Sequence, residues 1–240
     1  MDPDTKISAT INGMARRRAS LKRGPEPPDI PPELDPAPAR LEPRARWECV
    51  HAGASTEVGG RLADITLRET VWSNVDLAGC HLTGFECRDS RFERCDLAGA
   101  VLDGAALTRV TFTQCRMTGV VLSGTTLQDV WLHECRADMA NLRMAHADFL
   151  LAQHSTLREA EFYQAALARS ALVGCDLSGA NFEGCEMRDV DLHDSTLDDI
   201  RGASGLKGAS IGPDQVLGLA SALVAAAGID VTQAARWRAG

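Results

Sequence analysis

From Leu62 to Leu197 every fifth residue is apolar or small, without one insertion, so that 28 positions share a single register. The series opens Leu62, Leu67, Trp72, Leu77, Leu82, Cys87 and closes Phe182, Met187, Leu192, Leu197. Two residues ahead of each centre runs a second small or apolar series, including Val75, Cys80, Phe85, Ser90, Cys95 and Ala100 and reaching Val190 and Ser195. Neither series contains a charge. A period of five fits neither the 3.6 of a helix nor the 2.0 of a strand. The chain must turn a corner once per repeat and point two side chains of every five inward.

At Cys175-Asp176-Leu177-Ser178-Gly179 and Ala180-Asn181-Phe182-Glu183-Gly184 the sequence resembles the pentapeptide-repeat family, whose unit reads A(D/N)Lxx. The same signature stands at Cys95–Gly99, Ala140–Met144 and Ala160–Gln164, and the resemblance covers about residues 60 to 200. It implies an all-β fold, a right-handed quadrilateral β-helix with one pentapeptide per side and four per coil. A spacing of 20 supports four per coil independently. Phe92 falls over Phe112, Phe162 over Phe182, and Cys95, Cys115 and Cys135 form a column continued by Ser155, Cys175 and Ser195. The 28 units give seven coils, and a strand spacing of about 4.8 Å makes a tower roughly 34 Å tall. Each coil buries its apolar face only against its neighbours, so one quasi-one-dimensional domain is expected. The β-helix is assigned to residues 47–211. Trp47, Val50 and Ala52 extend the register backward but Glu57 breaks it, which assigns 47–61 to an N-terminal cap.

Only 5% of the 240 residues are aromatic, so Leu, Ala, Val and Cys must fill a narrow shaft. No apolar run is long enough to span a bilayer, and the first residues lack the apolar stretch of a signal peptide, so a cytoplasmic protein without membrane association is expected. Six of the eight cysteines (Cys80, Cys95, Cys115, Cys135, Cys175, Cys185) occupy the small inward position and Cys87 a centre. With no CxxC pair they read as core fillers, neither a metal site nor disulfides.

Residues 1–46 are a different material. Eight prolines stand between Pro25 and Pro43, behind a basic cluster of Arg16, Arg17, Arg18, Lys22 and Arg23. An extended, mobile tail is expected, and its basic cluster reads either as a solubilising feature or as a contact for an acidic surface. Met14, followed by Ala15 and three arginines, is a second candidate start, and Arg17-Arg18-Ala19-Ser20 matches a basophilic kinase pattern. At the other end, residues 212–240 form a separate segment in which Pro213 to Ala227 reads as a helix. Pro213 suits its first position, Asp214 its positive start and Gly228 its stop. Val216, Leu219, Ala220, Leu223, Val224 and Ala227 make one apolar stripe. The open end of the last coil needs a cover. In the gyrase-directed members of the family a C-terminal helical segment also makes a dimer, so Val216, Leu219, Leu223 and Val224 are assigned to a cap alone or to a cap and a homodimer contact.

No catalytic constellation emerges. His81, His133, His146, His154 and His193 fall on outward positions in different coils, and neither a phosphate-binding glycine loop nor a nucleophile motif is present. A non-enzymatic protein without cofactor or metal is expected. What remains is the surface. Residues 60–199 hold 22 acids and 12 bases. The excess sits in the last coils, where Asp176, Glu183, Glu186, Asp189, Asp191, Asp194, Asp198 and Asp199 face only Arg188. Such a surface is ordinary solvated charge or an imitation of the phosphate rows of DNA that attracts a basic groove. The resemblance implies a specific version. Mycobacterial and plasmid-borne quinolone-resistance proteins are acidic, DNA-like pentapeptide towers that dimerise through the C-terminus and bind DNA gyrase or topoisomerase IV. With no loop between 62 and 197 this chain resembles the mycobacterial branch. The tower itself is then expected not to bind duplex DNA. The alternative is a structural scaffold that docks a protein partner through its wall or its proline-rich tail.

One irregularity marks a second surface. Ala137, Ala147 and Ala152 replace large centres, while Phe149 and Leu151 fall outside the inward positions and Leu151 stacks under Trp131. Two outcomes are open. Trp131, Phe149 and Leu151 form an exposed apolar patch suited to a partner, or the register distorts and Phe149 turns inward to fill the space left by the alanines.

Overall fold

The corner that a period of five demands is visible in the backbone dihedrals. The computed structural model describes residues 24–229. Two residues after every centre, from Asp64 to Asp199, φ is positive, and most of these 28 positions are not glycine. Asp89 (φ 49°), Asp129 (φ 54°) and Phe149 (φ 57°) hold the left-handed conformation that L-residues adopt rarely and at a cost. Repetition explains why they can. The bend sends the chain along the next side, where its N–H and C=O groups meet the coils above and below in parallel register, as in Asp96↔Arg116 and Val101↔Val121.

Two adjacent sides are flat enough to run on as single strands around the corner between them. Glu86–Glu93, Ala106–Thr113, Thr126–His133 and His146–Gln153 stack in parallel at a spacing of 20, pairing Phe92 with Phe112 and Trp131 with Leu151. The other two sides carry isolated bridges and turns, apart from a short ladder of Arg61–Ala63 with His81–Thr83. The shaft holds the centres from Leu62 and the second series from Ile65 buried throughout. Aromatic rings stack along it, with centroids 5.7 Å apart for Trp72–Phe92 and 5.0 Å for both Phe92–Phe112 and Phe162–Phe182. All eight cysteines are free, and seven are buried. In the cysteine column each thiol donates to a carbonyl of the coil before it: Cys95 to Trp72, Cys115 to Phe92 and Cys135 to Phe112, all at 3.4 Å.

The tower has about eight coils, one more than the register from Leu62 predicts. Arg46–Glu48 pairs in parallel with Thr66–Arg68, and Val50–Ala52 with Val71–Ser73, so residues 47–61 form a coil of the ladder and not a separate cap. Glu57 occupies a centre yet faces solvent. Leu41 joins the shaft core, while Leu41 N bonds Glu57 O at 2.9 Å and Glu57 N bonds Ala39 O at 2.7 Å. A charged residue at one centre is thus tolerated because a leucine from the preceding segment enters the core.

The proline-rich segment, in its described part, lies against the wall. Glu26 N donates to Asp129 Oδ1 at 3.0 Å and Asp29 N to Asp89 Oδ1 at 3.1 Å, after which Asp35–Pro36 pairs with Val50–Ala52. Three residues thus span two coils, about 9.6 Å, as the ~3.1 Å per residue of a polyproline II chain requires. Pro27 and Pro28 set that conformation. At the far end a 3₁₀ turn over Pro213–Gln215 leads into the helix Val216–Ala226. Among the described residues no helix is long and apolar enough to cross a membrane.

Candidate functional site

The acidic residues of the last coils do not form a row. One coil has four sides, and Asp176 and Asp198 lie on one of them, Glu183 on the next, Glu186 on the third and Asp194 on the fourth. Glu183, Glu186, Asp189, Asp194, Asp198 and Asp199 are exposed, and Asp176 is half-buried, accepting from Ser178 N at 3.1 Å and Ser178 Oγ at 2.6 Å. They ring the C-terminal end of the tower. Asp191 departs from the expectation. It is outward by register but only 3% exposed, and its Oδ1 meets both His193 N, at 3.0 Å, and His193 Nδ1, at 2.5 Å. Its carboxylate is committed within the structure and does not belong to the accessible ring.

The C-terminal stripe divides in two. Leu219 is 1% exposed and packs into the shaft core, whereas Val216 and Leu223 are about half exposed and Val224 is intermediate. Leu217, absent from the stripe read in the sequence, is the most exposed large apolar residue among the described residues, at 86%. The strand edge is met by Gln215. Buried against the last coil, it donates Nε2 to Leu192 O at 2.8 Å and Ser195 O at 2.6 Å, and its Oε1 accepts from Gly212 N at 2.6 Å. Close packing fixes this end, because a Cβ at Gly205 would run into the Phe182 carbonyl oxygen.

The apolar patch follows neither expected outcome. The register holds, so Phe149 stays at an outward corner, with the Arg169 guanidinium 4.6 Å over its ring. Yet Trp131, Phe149 and Leu151 are 4, 8 and 8% exposed. Trp131 and Leu151 join Ala171 and Val173 in a cluster outside the shaft. The alanines need no filler from Phe149, since Leu150 already points inward beside Ala152.

The same corner carries a bidentate ion pair. Arg109 Nε and Nη2 grip Asp89 Oδ1 and Oδ2, both at 2.5 Å. Burial alone would raise the Asp89 carboxyl, but the bonds from Arg109, from the Asp29 amide and from Arg88 together outweigh it and hold it below the usual carboxylate range. Sequence reading missed Asp89 and Asp129. Their signal was an aspartate at the left-handed corner in two coils, with a proline-rich segment upstream to use them.

His133 and His154 stand edge to face at 6.1 Å, and burial lowers the His133 imidazole from its ordinary value. Among the described residues no three His, Cys, Asp or Glu side chains converge on a metal position. The thiols of Cys80, Cys95, Cys115, Cys135 and Cys175 face backbone carbonyls. Burial pushes Cys175 up to about 11, and Cys87 and Cys185 each up to about 12. Cys115, facing the thiols of Cys135 and Cys95, rises further still.

The repeat itself decides the family. A model described as pentapeptide repeat region matches residues 85–160, and one described as pentapeptide repeats (8 copies) matches residues 61–97 and 153–199. The chain belongs to the pentapeptide-repeat family. Similar solved members include HetL, a protein involved in heterocyst differentiation regulation in the cyanobacterium Nostoc (18% identity, 65% of this chain and 84% of that one, TM-score 0.33). QnrB1, a plasmid-mediated fluoroquinolone resistance protein, is 18% identical over 77% of this chain and all of its own, with a TM-score of 0.34. A pentapeptide-repeat protein of the Arabidopsis thaliana thylakoid lumen is 22% identical over 39% of this chain and 66% of its own, with a TM-score of 0.31. Curated proteins return no match. Pentapeptide-repeat proteins are generally structural or binding proteins.

Proposed function

We propose that this pentapeptide-repeat protein is a non-enzymatic binding protein whose acidic C-terminal coils occupy the basic, DNA-binding groove of a protein partner. The observation that carries the reading is the ring of six exposed carboxylates, Glu183, Glu186, Asp189, Asp194, Asp198 and Asp199, around one end of a rod. A ring suits a groove that clasps the rod from several sides, and its charge attracts such a groove over a screening length of about 8 Å at physiological salt. A type II topoisomerase, DNA gyrase or topoisomerase IV, is the specific partner, and the cytoplasm is the compartment where the two would meet. Helix-to-helix contact through Val216, Leu217 and Leu223 would make a homodimer and join two acidic ends into one longer rod.

Gyrase supercoiling and direct binding with the full-length protein test this. Inhibition in the micromolar range, weakening as salt rises, is the expected result. No binding at low salt would turn the reading toward a scaffold that docks a different protein.

A further inference from the structure

Between Pro25 and Ala37 the proline-rich segment turns one residue in three toward the tower. Pro25 is buried and Pro28, Pro31, Leu34 and Ala37 are half-buried, while the residues between them are exposed, Ile30 alone excepted. That is the three-fold period of a polyproline II chain lying along a wall. The amides follow the same period. Glu26 N, Asp29 N and Asp35 N each come directly after an inward residue, and they donate to Asp129 Oδ1, Asp89 Oδ1 and Cys49 O, the last at 2.9 Å. The three acceptors belong to one left-handed corner of the tower and stand two coils apart each time.

The acceptors are built into the wall. Asp89 and Asp129 are 6 and 5% exposed. Arg88 and Arg109 hold the Asp89 carboxylate, and Gln128 Nε2 donates to Asp129 Oδ2 at 2.8 Å, so side chains of the tower orient both groups to present Oδ1 to a backbone amide. One turn of polyproline II, about 9.3 Å, matches two coils, about 9.6 Å. No side chain of residues 26–34 is fully buried, so the fit rests on an extended conformation and on amide spacing more than on those side chains. Past Leu34 the segment enters the ladder, with Asp35 paired to Val50 and Pro36 to His51. Residues 25–34 can therefore leave without breaking a strand.

We propose that the corner marked by Asp89 and Asp129 is a docking site for a polyproline II segment of another protein, filled at rest by residues 25–34 of the same chain. The matching ligand carries two inward prolines three residues apart, each followed by a residue that is not proline, as in Pro25-Glu26 and Pro28-Asp29. The incoming segment exchanges with the resident one, which swings away at Leu34. Neither Asp89 nor Asp129 is among the carboxylates of the proposed function, so either reading can fail while the other stands.

The probe is a fluorescein-labelled peptide of residues 24–34, read by anisotropy against the full chain, either wild type or with Glu26→Pro and Asp29→Pro together. The double change removes both amide donors of the resident segment and leaves the tower unaltered. A tethered segment competes at an effective concentration on the order of millimolar, so the peptide should bind the variant at least about tenfold more tightly than the wild type. A control peptide carrying Glu26→Pro and Asp29→Pro keeps the extended shape but loses both donors, and should bind the variant at least about tenfold more weakly. Adding Asp129→Ala to the variant chain should weaken the matched peptide in the same direction. If the variant does not fold, excess peptide added to the wild-type chain decides, since displacement should quicken exchange at the Glu26 and Asp29 amides. Equal affinity for variant and wild type, equal affinity of the two peptides, or no binding with protein at about 1 mM would each overturn the proposal. Unchanged amide exchange under excess peptide would do the same. Wild-type dimers that the peptide dissociates would give the site to a second copy's segment and overturn it equally.

Discussion

Arg109 holds the carboxylate of Asp89 from the next coil, with both contacts at 2.5 Å, and the same carboxylate receives the amide of Asp29 at 3.1 Å. One side chain therefore ties two neighbouring coils together and anchors the proline-rich segment. Asp89→Ala should leave Arg109 without this partner and destabilise by about 1–3 kcal/mol. Exchange of the Asp29 amide should quicken at least tenfold, as hydrogen-exchange mass spectrometry would read. The pH dependence follows from the depressed carboxyl of Asp89. Its contribution is complete above the unfolded-state value, about 3.9, and is lost as pH falls through the lower folded value. The segment should loosen in acid as that lower value is passed, and Asp29 protection that stays unaltered down to the acid unfolding transition would contradict the anchor.

Phe112 ends a stack that begins at Trp47 and passes through Trp72 and Phe92. Phe112→Ala should cost about 3–5 kcal/mol, because the rungs on either side are fixed by ladder hydrogen bonds and cannot collapse into the cavity. The urea midpoint reads this directly, with Asp103→Ala on the exposed surface as the control.

Gln215 supplies two donors to carbonyls of the last coil, at Leu192 and Ser195. Gln215→Leu keeps the volume and removes both. The two carbonyls are then left unpaired under the helix, a loss of about 1–3 kcal/mol, and amides around residues 192–197 should exchange faster than those of the central coils. Equal protection at both places would show that the helix does not depend on this residue.

Much of the architecture was legible because a period of five admits so few solutions. The shaft positions, the column from Cys95 to Ser195 and the coil spacing of 20 are all read from residue types alone. The parts that were not legible depend on contacts far apart in sequence. The period of five places Asp191 and Trp131 outward, but it carries no information on how deeply an outward side chain is buried, and both are buried. The anchoring of residues 26 and 29 joins positions 103 and 60 apart, beyond any local pattern. Glu57 misled for a related reason. The leucine that enters the core in place of its side chain, Leu41, lies outside the repeat.

Of the eight thiols only Cys49 is partly exposed. A thiol reagent at pH 8 should modify one equivalent in the native protein and eight after denaturation. Cys49 should react more slowly than an ordinary cysteine, because its hydrogen bond to Glu69 raises its pKa. Cys87, Cys175 and Cys185, raised by burial, also set an alkaline limit. An unfolded thiol titrates near 9.0 while folded Cys87 does so near 12, so the unfolded chain alone loses protons in that interval. Stability is complete below about pH 9 and falls as pH rises toward 12, by up to ~1.4 kcal/mol per unit for each such thiol. A melting temperature constant from pH 8 to 10.5 would refute this.

The acidic end is tested by Asp189, Asp194, Asp198 and Asp199 changed together to Asn. Asp191 is left in place because its bonds to His193 are structural. Binding to a basic-grooved partner should weaken at least tenfold and lose most of its salt dependence, while the circular dichroism spectrum and melting temperature stay as they were. Undiminished affinity would remove these carboxylates from the interface. Ion pairs already spent along the wall, such as Arg116 with Asp96 at 2.8 Å, are not expected to contribute.

Because every coil repeats the same bend and meets its neighbours in the same register, the molecule carries its length as a whole number. Twenty residues added between two coils would raise the tower by one storey, about 4.8 Å, and leave every other storey as it was. A single added residue would instead turn the whole remaining staircase, moving shaft residues to the wall and wall residues into the shaft. From Leu62 to Leu197 no such slip occurs. Evolution can therefore reset the reach of this protein only in storeys, and can repaint its walls freely between them.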